Sequence, residues 1–339
     1  INIEVVSTAT ADFSFTTECF GTATTFTDLS TIVGSPINTW QWDFDNNGTV
    51  DATTQNPTYV FPAPGTYTVE LYVSAGGGCA DSITHVITVN PIPVSNFTAT
   101  EVCQGVATTF TDQSTITTGS ITNYAWLFGD AAGGSSNLPN PTYTYAAPGS
   151  YTVTLVVTSD NGCIHTYSTI INVWPNPIAD FSTVDACLGV PTQFTDLSTV
   201  PGGGNITNWN WTFNPGLGSA GIQHPQFTYT QQGTYSTLLQ VTTDKGCVDT
   251  VTIPVLISPY PVVDFGPDEA GCDPVCVTMT NTSSISAGTI ASFTWDFGDG
   301  SPLEIYDFTN SGQTVSHVYL PGTVNCETIV TLTAENYCN

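Results

Sequence analysis

Trp295-Asp296-Phe297-Gly298-Asp299-Gly300-Ser301 has three weaker copies upstream: Trp42-Asp43-Phe44-Asp45, Trp126-Leu127-Phe128-Gly129-Asp130 and Trp211-Thr212-Phe213-Asn214. The four tryptophans recur with a period of about 84 residues, the mark of one supersecondary module copied along a chain. In each copy two aromatics two residues apart point to the same face of a strand, and Gly, Asp or Asn then turns the chain.

Around the first copy, apolar residues alternate with Thr and Ser. This predicts strands over 11–15, 24–29, 39–44, 58–61, 67–73 and 83–89, with Gly, Pro and Asn in the turns. The fifth is the clearest: Tyr67, Val69, Leu71 and Val73 alternate with Thr68, Glu70 and Tyr72, and Pro64-Gly65 makes the turn into it. Pro148-Gly149 and Gln232-Gly233 stand before the equivalent stretches of the second and third copies. Pro91-Ile92-Pro93, Pro175-Asn176-Pro177 and Pro259-Tyr260-Pro261 mark the joints, where a residue between two prolines is held extended and stiff. The period assigns 7–90, 91–174, 175–258 and 259–339 to modules one to four. Residues 1–6 fall on the slot of a preceding module's final strand, or of a donor strand for another chain. Module four reaches Asn339 without a final strand of its own.

The stretch Trp-Asp-Phe-Gly-Asp-Gly-Ser resembles the hallmark of the polycystic kidney disease (PKD) domain, a small immunoglobulin-like β-sandwich. The resemblance covers essentially the whole chain; the fourth copy matches the motif best and the third least. It implies an all-β protein of four tandem immunoglobulin-like sandwiches, non-catalytic as such modules usually are, and it argues fold more strongly than function. At ~40 Å per module, from strands of about 8 residues at ~3.3 Å plus loops, four sandwiches placed end to end make an extended rod of ~160 Å.

One Lys, no Arg and 28 acidic residues give a formal charge of -27, a surface that repels nucleic acid and anionic membranes. No stretch approaches the ~20 apolar residues of a membrane-spanning helix, so direct membrane insertion is not expected. The chain opens on Ile1 rather than Met, which reads as a mature product or an excised segment. Lys245 is the one basic side chain besides four histidines, so lysine–asparagine isopeptide staples are excluded from modules one, two and four.

Cys19 and Cys79, Cys103 and Cys163, and Cys187 and Cys247 are three pairs at one identical separation in sequence. One pair per module at a fixed spacing predicts intramodular disulfides, and with them an oxidising, extracellular or cell-surface setting. Two isolated thiols with no histidine at ligand spacing make a poor zinc site. Module four carries four cysteines. Repeat position pairs Cys272 with Cys338 and leaves Cys276 with Cys326, and the crossed pairing stays open.

Asp43-x-Asp45-x-Asn47-Gly48-x-x-Asp51 has the oxygen spacing of the first nine positions of a calcium loop, with Thr54 where the twelfth-position glutamate belongs. The competing reading is a run of turn formers after a strand. No cofactor is required, and calcium is the one candidate. Asp296 and Asp299, with Glu304 and Asp307, form a weaker second set. Trp40, Tyr124, Trp209 and Phe293 stand two residues before the recurring tryptophan, which places them in or beside the core rather than on a sugar-binding platform. Trp174, in a connector beside Pro175, reads as packing between modules. His85, His165, His224 and His317 are isolated from nucleophile motifs and from one another, so no catalytic residue is assigned. Asp81-Ser82-Ile83 and Asp249-Thr250-Val251, two periods apart, resemble the acceptor sequence for O-linked glycans on exported Bacteroidota proteins, which makes Ser82 and Thr250 candidate sites. Sequons of the N-linked kind stand at Asn47, Asn96, Asn205 and Asn281.

These features predict a structural, non-catalytic segment of a long surface fibre or adhesin, a stiff disulfide-stapled spacer or filament. Its partners are neighbouring PKD modules, with surface glycans or other cells at the end of the fibre. The Thr-rich, lysine-poor style resembles repetitive adhesins and gliding-associated proteins of Bacteroidota, which leave the cell by type IX secretion. The alternative is a glycan-binding accessory array attached to an exported polysaccharide-degrading enzyme.

Overall fold

The computed structural model describes residues 8–34, 36–76, 78–184, 186–266, 275–286, 289–307, 313–320 and 328–336. The expectations for residues 1–6 and for Cys272, Cys326 and Cys338 lie outside these. Every named element is a strand. Module one contributes β1 (Phe13–Phe15), β2 (Thr24–Asp28), β3 (Ile37–Asp43), β4 (Thr58–Tyr59), β5 (Gly65–Ala75) and β6 (Ala80–Val89). They form two three-stranded sheets, β1-β2-β4 and β3-β5-β6.

Along β5, Val69, Leu71, Val73 and Ala75 are buried while Thr68 and Tyr72 face out, the period of two that a sheet with one covered face requires. The strand begins at Gly65, whose φ of 150°, matched by 156° at Gly149 and 145° at Gly233, is a conformation that a side chain would strain.

Module two adds β7 (Phe97–Ala99), β8 (Val102–Cys103), β9 (Ala107–Asp112), β10 (Ile121–Leu127), β11 (Ser135–Ser136), β12 (Thr142–Thr144), β13 (Gly149–Ser159) and β14 (Ile164–Trp174). Its sheets are β12-β9-β7 and β11-β10-β13-β14-β8. β8 runs parallel to the end of β14, with Cys103 opposite Trp174. In module one the same contact is a single parallel bridge, Cys19 to Asn90. Trp174 is therefore the last residue of a strand, half-buried, and not a connector residue as its neighbour Pro175 suggested.

The chain divides into two compact units, residues 1–174 and 175–339. In the second, module three repeats the three- and five-stranded pair, the larger sheet built on Gly233–Thr243 and Val248–Ser258. In module four Ile290–Asp296 pairs with Glu304–Tyr306 on one side and Thr331–Asn336 on the other.

Each module closes on its own aromatic core. Trp42, Trp126, Trp211 and Trp295 are all at most 1% exposed. An edge-on phenylalanine from the first strand meets each of them: Phe13, Phe97, Phe181 and Phe265, at centroid distances of 5.1, 4.9, 5.1 and 5.1 Å. The buried indole N–H donates to a backbone carbonyl, Thr54 at 3.0 Å, Leu138 at 2.8 Å and Ile222 at 2.9 Å in modules one to three. A register shift recurs at Ile37/Thr39, Ile121/Asn123, Ile206/Asn208 and Ile290/Ser292. Such a bulge re-aims the residues after it.

Candidate functional site

The cysteines mark the ends of each sandwich. Cys103 pairs with the last residue of β14, whereas Cys163 lies just before its first. Eleven strand residues at ~3.3 Å separate them by ~35 Å, far beyond the ~7 Å limit for a disulfide. The intramodular pairing expected from the fixed spacing is thus ruled out. Cys19 is bonded instead to Cys163 of the next module, with Cα atoms 5.7 Å apart and a separation of 144 positions in sequence. The same register places Cys187, next to Ser258, and Cys247 at opposite ends of Val248–Ser258. Cys103, Cys187 and Cys247 are disulfide-bonded too. Cys79 is free and half-buried, and Cys276, expected in a disulfide with Cys326, is free and exposed on the outer face of Val275–Asn281.

The loop after β3 gathers three of the four candidate calcium ligands. One side-chain oxygen each from Asp43, Asp45 and Asp51 lie within 4.8 Å of one another. Asn47, the fourth candidate, accepts the Thr49 N–H through its Oδ1 at 2.8 Å. Asp43 also closes the loop, taking the N–H groups of Gly48 at 2.7 Å and Asn47 at 3.2 Å, while Asp51 Oδ2 takes that of Phe44 at 2.8 Å. Burial alone would push the Asp43 carboxyl up; the backbone donors outweigh it and hold the group below the ordinary carboxylate range. Carboxylate oxygens are the ligands that a hard divalent cation such as calcium prefers. Three of them this close repel one another unless a cation joins them.

The second acidic set is dispersed. Asp299 Oδ2 lies 2.9 Å from His317 Nε2, Asp296 accepts the Gly298 N–H at 3.0 Å, and Glu304 accepts the Tyr306 hydroxyl at 2.5 Å. Ser301, whose N–H is donated to Asp299 Oδ1 at 3.0 Å, and His317 hold the Asp299 carboxyl well below its usual range. Asp130 is used the same way in module two, accepting the Tyr143 hydroxyl at 2.5 Å. His317 and Tyr143 stack on Phe297 and Phe128, so the acid after each tryptophan motif anchors a ring on the core.

A second recurring device ties the two sheets together. Asp28, on β2, accepts the Trp40 indole N–H from β3 at 2.7 Å, the Gln55 side-chain amide at 3.1 Å and the Ser30 backbone at 2.9 Å. Asp196 does the same with Trp209 at 2.7 Å, Gln223 at 3.1 Å and Ser198 at 3.0 Å. In module two Tyr124 stands in the place of the indole, and burial together with the nearby Asp112 carboxylate pushes its hydroxyl above the ordinary range. Trp40, Tyr124 and Trp209 are accordingly half-buried clasp residues and Phe293 is core, at 1% exposure. Phe293 has no side-chain polar atom to offer, and Asn281, at the repeat position of Asp28, has an Nδ2 buried without a hydrogen-bond partner. Strand alternation alone does not point to the acids of this clasp. The signal was the run Phe-Thr-Asp-x-Ser at 26–30, 110–114 and 194–198.

The remaining candidates have local work. Asp81 and Asp249 accept the N–H groups of Ala11 at 2.8 Å and Ala179 at 2.9 Å, a role His165 Nδ1 fills for Ser95 at 3.0 Å. Ser82 and Thr250 beside them are exposed on strand faces. His224 Nδ1 accepts the Asp196 N–H at 3.1 Å, and His85 lies 3.4 Å from Asp12. Of the N-linked sequons, Asn281 is 1% exposed and out of reach of a glycan. No helix among the described residues is long and apolar enough to cross a membrane.

A family model for the PKD domain matches residues 8–90, 88–173, 174–257 and 258–338. The pre-pro-metalloprotease PrtV of Vibrio cholerae is 32% identical over 174 residues, which is 51% of this chain. The chain spans only 18% of that relative's length. Similar solved structures include the PKD1 domain of Vibrio anguillarum Epp, 33% identical over 25% of this chain and 95% of that one, with a TM-score of 0.23. The PKD1 domain of Vibrio cholerae PrtV is 35% identical over 24% and 96%, with a TM-score of 0.22. Three N-terminal domains of the bacteriophage RB49 outer capsid protein Hoc are 14% identical over 75% and 99%, with a TM-score of 0.38.

Proposed function

Because this chain belongs to the PKD domain family, carrying four copies in tandem, we propose that it is a non-catalytic structural segment of an extracellular protein, a spacer stiffened by covalent bonds between modules. The observation that carries this reading is the Cys19–Cys163 bond, which joins module one to module two rather than fastening either to itself. A crosslink across a joint resists bending and separation of neighbours, the property a spacer or surface fibre needs. Disulfide-bonded cysteines persist in oxidising compartments, which supports an extracellular or cell-surface location. The test is retention of the 339-residue chain on columns of immobilised polysaccharide. Passage without delay is expected, and tight, sugar-competed retention would replace the spacer by a glycan-binding accessory arm.

Within the same reading, the carboxylates of Asp43, Asp45 and Asp51 are proposed to hold one calcium ion, relieving their mutual repulsion. Calorimetric titration of calcium into the whole chain should give heat that Asp45→Asn with Asp51→Asn abolishes. No heat at millimolar calcium would leave Asp43 as a loop closure alone.

A further inference from the structure

Cys79 occupies in module one the place that Cys163 and Cys247 occupy in modules two and three. Each follows a glycine with positive φ, Gly78 at 86°, Gly162 at 80° and Gly246 at 81°. Each cysteine carbonyl accepts the N–H four residues earlier, from Ala75, Ser159 and Thr243, at 2.9 Å in all three. The hairpins therefore present the three thiols alike, at the end of the sandwich where the chain enters. That end is marked by the Ala11 N–H on Asp81 in module one and the Ser95 N–H on His165 in module two.

The three thiols differ in one respect. Cys163 is 1% exposed and bonded to the cysteine of the module before it. Cys247 is also 1% exposed and disulfide-bonded. Cys79 is free and only half-buried. The glycine and the backbone hydrogen bond of the hairpin are the same, and the first difference lies in what covers the sulfur. At Cys163 the covering residue is Cys19, carried on the loop whose Phe20 N–H is donated to Asn90 at the far end of module one.

One local feature also differs. Ser159 and Thr243 accept the cysteine N–H at 3.1 Å through their hydroxyls, and Ala75 cannot. The module-one hairpin keeps the backbone bond from Ala75 to Cys79 and lacks the second one to the cysteine N–H.

We propose that Cys79 is the acceptor of the same inter-module disulfide, its partner a cysteine at the Cys19 position of a PKD module that precedes module one in the array. Each thiol gives up one proton and one electron. The two sulfurs join, and a small-molecule or protein disulfide of the exporting compartment is reduced to two thiols. The proposal extends the tandem-array reading but does not depend on whether the array is a spacer or a glycan-binding arm.

The test takes the protein purified without reductant from the cells that make it, with free thiols blocked by N-ethylmaleimide. Peptic digestion at low pH suits it, because Lys245 is the sole tryptic site and acid suppresses disulfide exchange. Mass spectrometry should find the Cys79 peptide joined to a cysteine peptide of a PKD module encoded ahead of module one, alongside the Cys19–Cys163 pair. A maleimide or small-thiol adduct on Cys79, a bond to a cysteine outside a PKD module, or a Cys79–Cys79 bond between copies would each overturn it. In the 339-residue chain alone, Cys79 should take up maleimide in the native state while Cys163 does not. A Cys79 as inert as Cys163 would refute the exposed acceptor.

Discussion

Thr108 and Thr192 occupy one repeat position, are 0% and 2% exposed, and have hydroxyl oxygens without a hydrogen-bond partner. Module four carries Val277 at that place, 7% exposed in the same kind of core. A buried hydroxyl that finds no partner costs about 1–3 kcal/mol. Thr108→Val and Thr192→Val should therefore each stabilise their module by about 1 kcal/mol, read as a rise in unfolding midpoint at unchanged denaturant slope. Asp299 supplies a second case at this scale. Its folded-state carboxyl is held below the value of about 3.9 expected in the unfolded chain. Stability from this source is present above that value and is lost as pH falls through the folded one. Module four should therefore weaken progressively below about pH 4, and Asp299→Asn should flatten that acid limb. An unchanged acid limb in the variant would contradict the assignment.

Between elements, the clasp of aspartate and aromatic decides how the two sheets of a module are held at their margin. Desolvation raises the Asp28 and Asp196 carboxyls, and the combined donors from Ser30, Gln55 and Trp40, or from Ser198, Gln223 and Trp209, more than reverse this. Trp40→Phe keeps the ring and removes one donor to a charged acceptor. It should cost about 1–2 kcal/mol, and the double variant with Asp28→Asn should cost less than the sum of the two single changes. Module four has lost both halves together, Phe293 for the donor and Asn281 for the acid. The clasp was unreadable from strand alternation, which assigns faces but not the polar partner across two sheets. Trp40 shares the face of Trp42 and packs partly buried against the core, as its position predicts. What alternation does not show is that, beside the bulge at Ile37/Thr39 and at the sheet edge, its half-buried ring also donates a hydrogen bond.

Across the molecule, the Cys19–Cys163 bond turns two small sandwiches into one covalent loop of 144 residues. On the chain-entropy model a loop of that length stabilises by about 5 kcal/mol, more than an intramodular pair would. Force applied to the chain ends crosses this loop through the sulfurs. Stretching the oxidised protein should leave residues 19–163 unextended, and adding reductant should release about 500 Å more contour at ~3.5 Å per residue. Equal contour lengths with and without reductant would refute the bond as a mechanical element.

The repeat, the strand alternation and the buried tryptophans were set by the sequence alone, because the module period and a face period of two are properties of the chain's own order. Even the strand limits differ little: 67–73 was expected where Gly65–Ala75 forms. The disulfide partners were decided only by the tertiary structure. In a periodic chain every first cysteine stands at one fixed separation from the second cysteine of its own module and at another from that of the next, so spacing supports both pairings equally. What separates them is the antiparallel register of Gly149–Ser159 with Ile164–Trp174, which carries Cys103 and Cys163 to opposite ends of the sandwich. The end that bears Cys163 is the one facing the preceding module, and its sulfur meets Cys19 there.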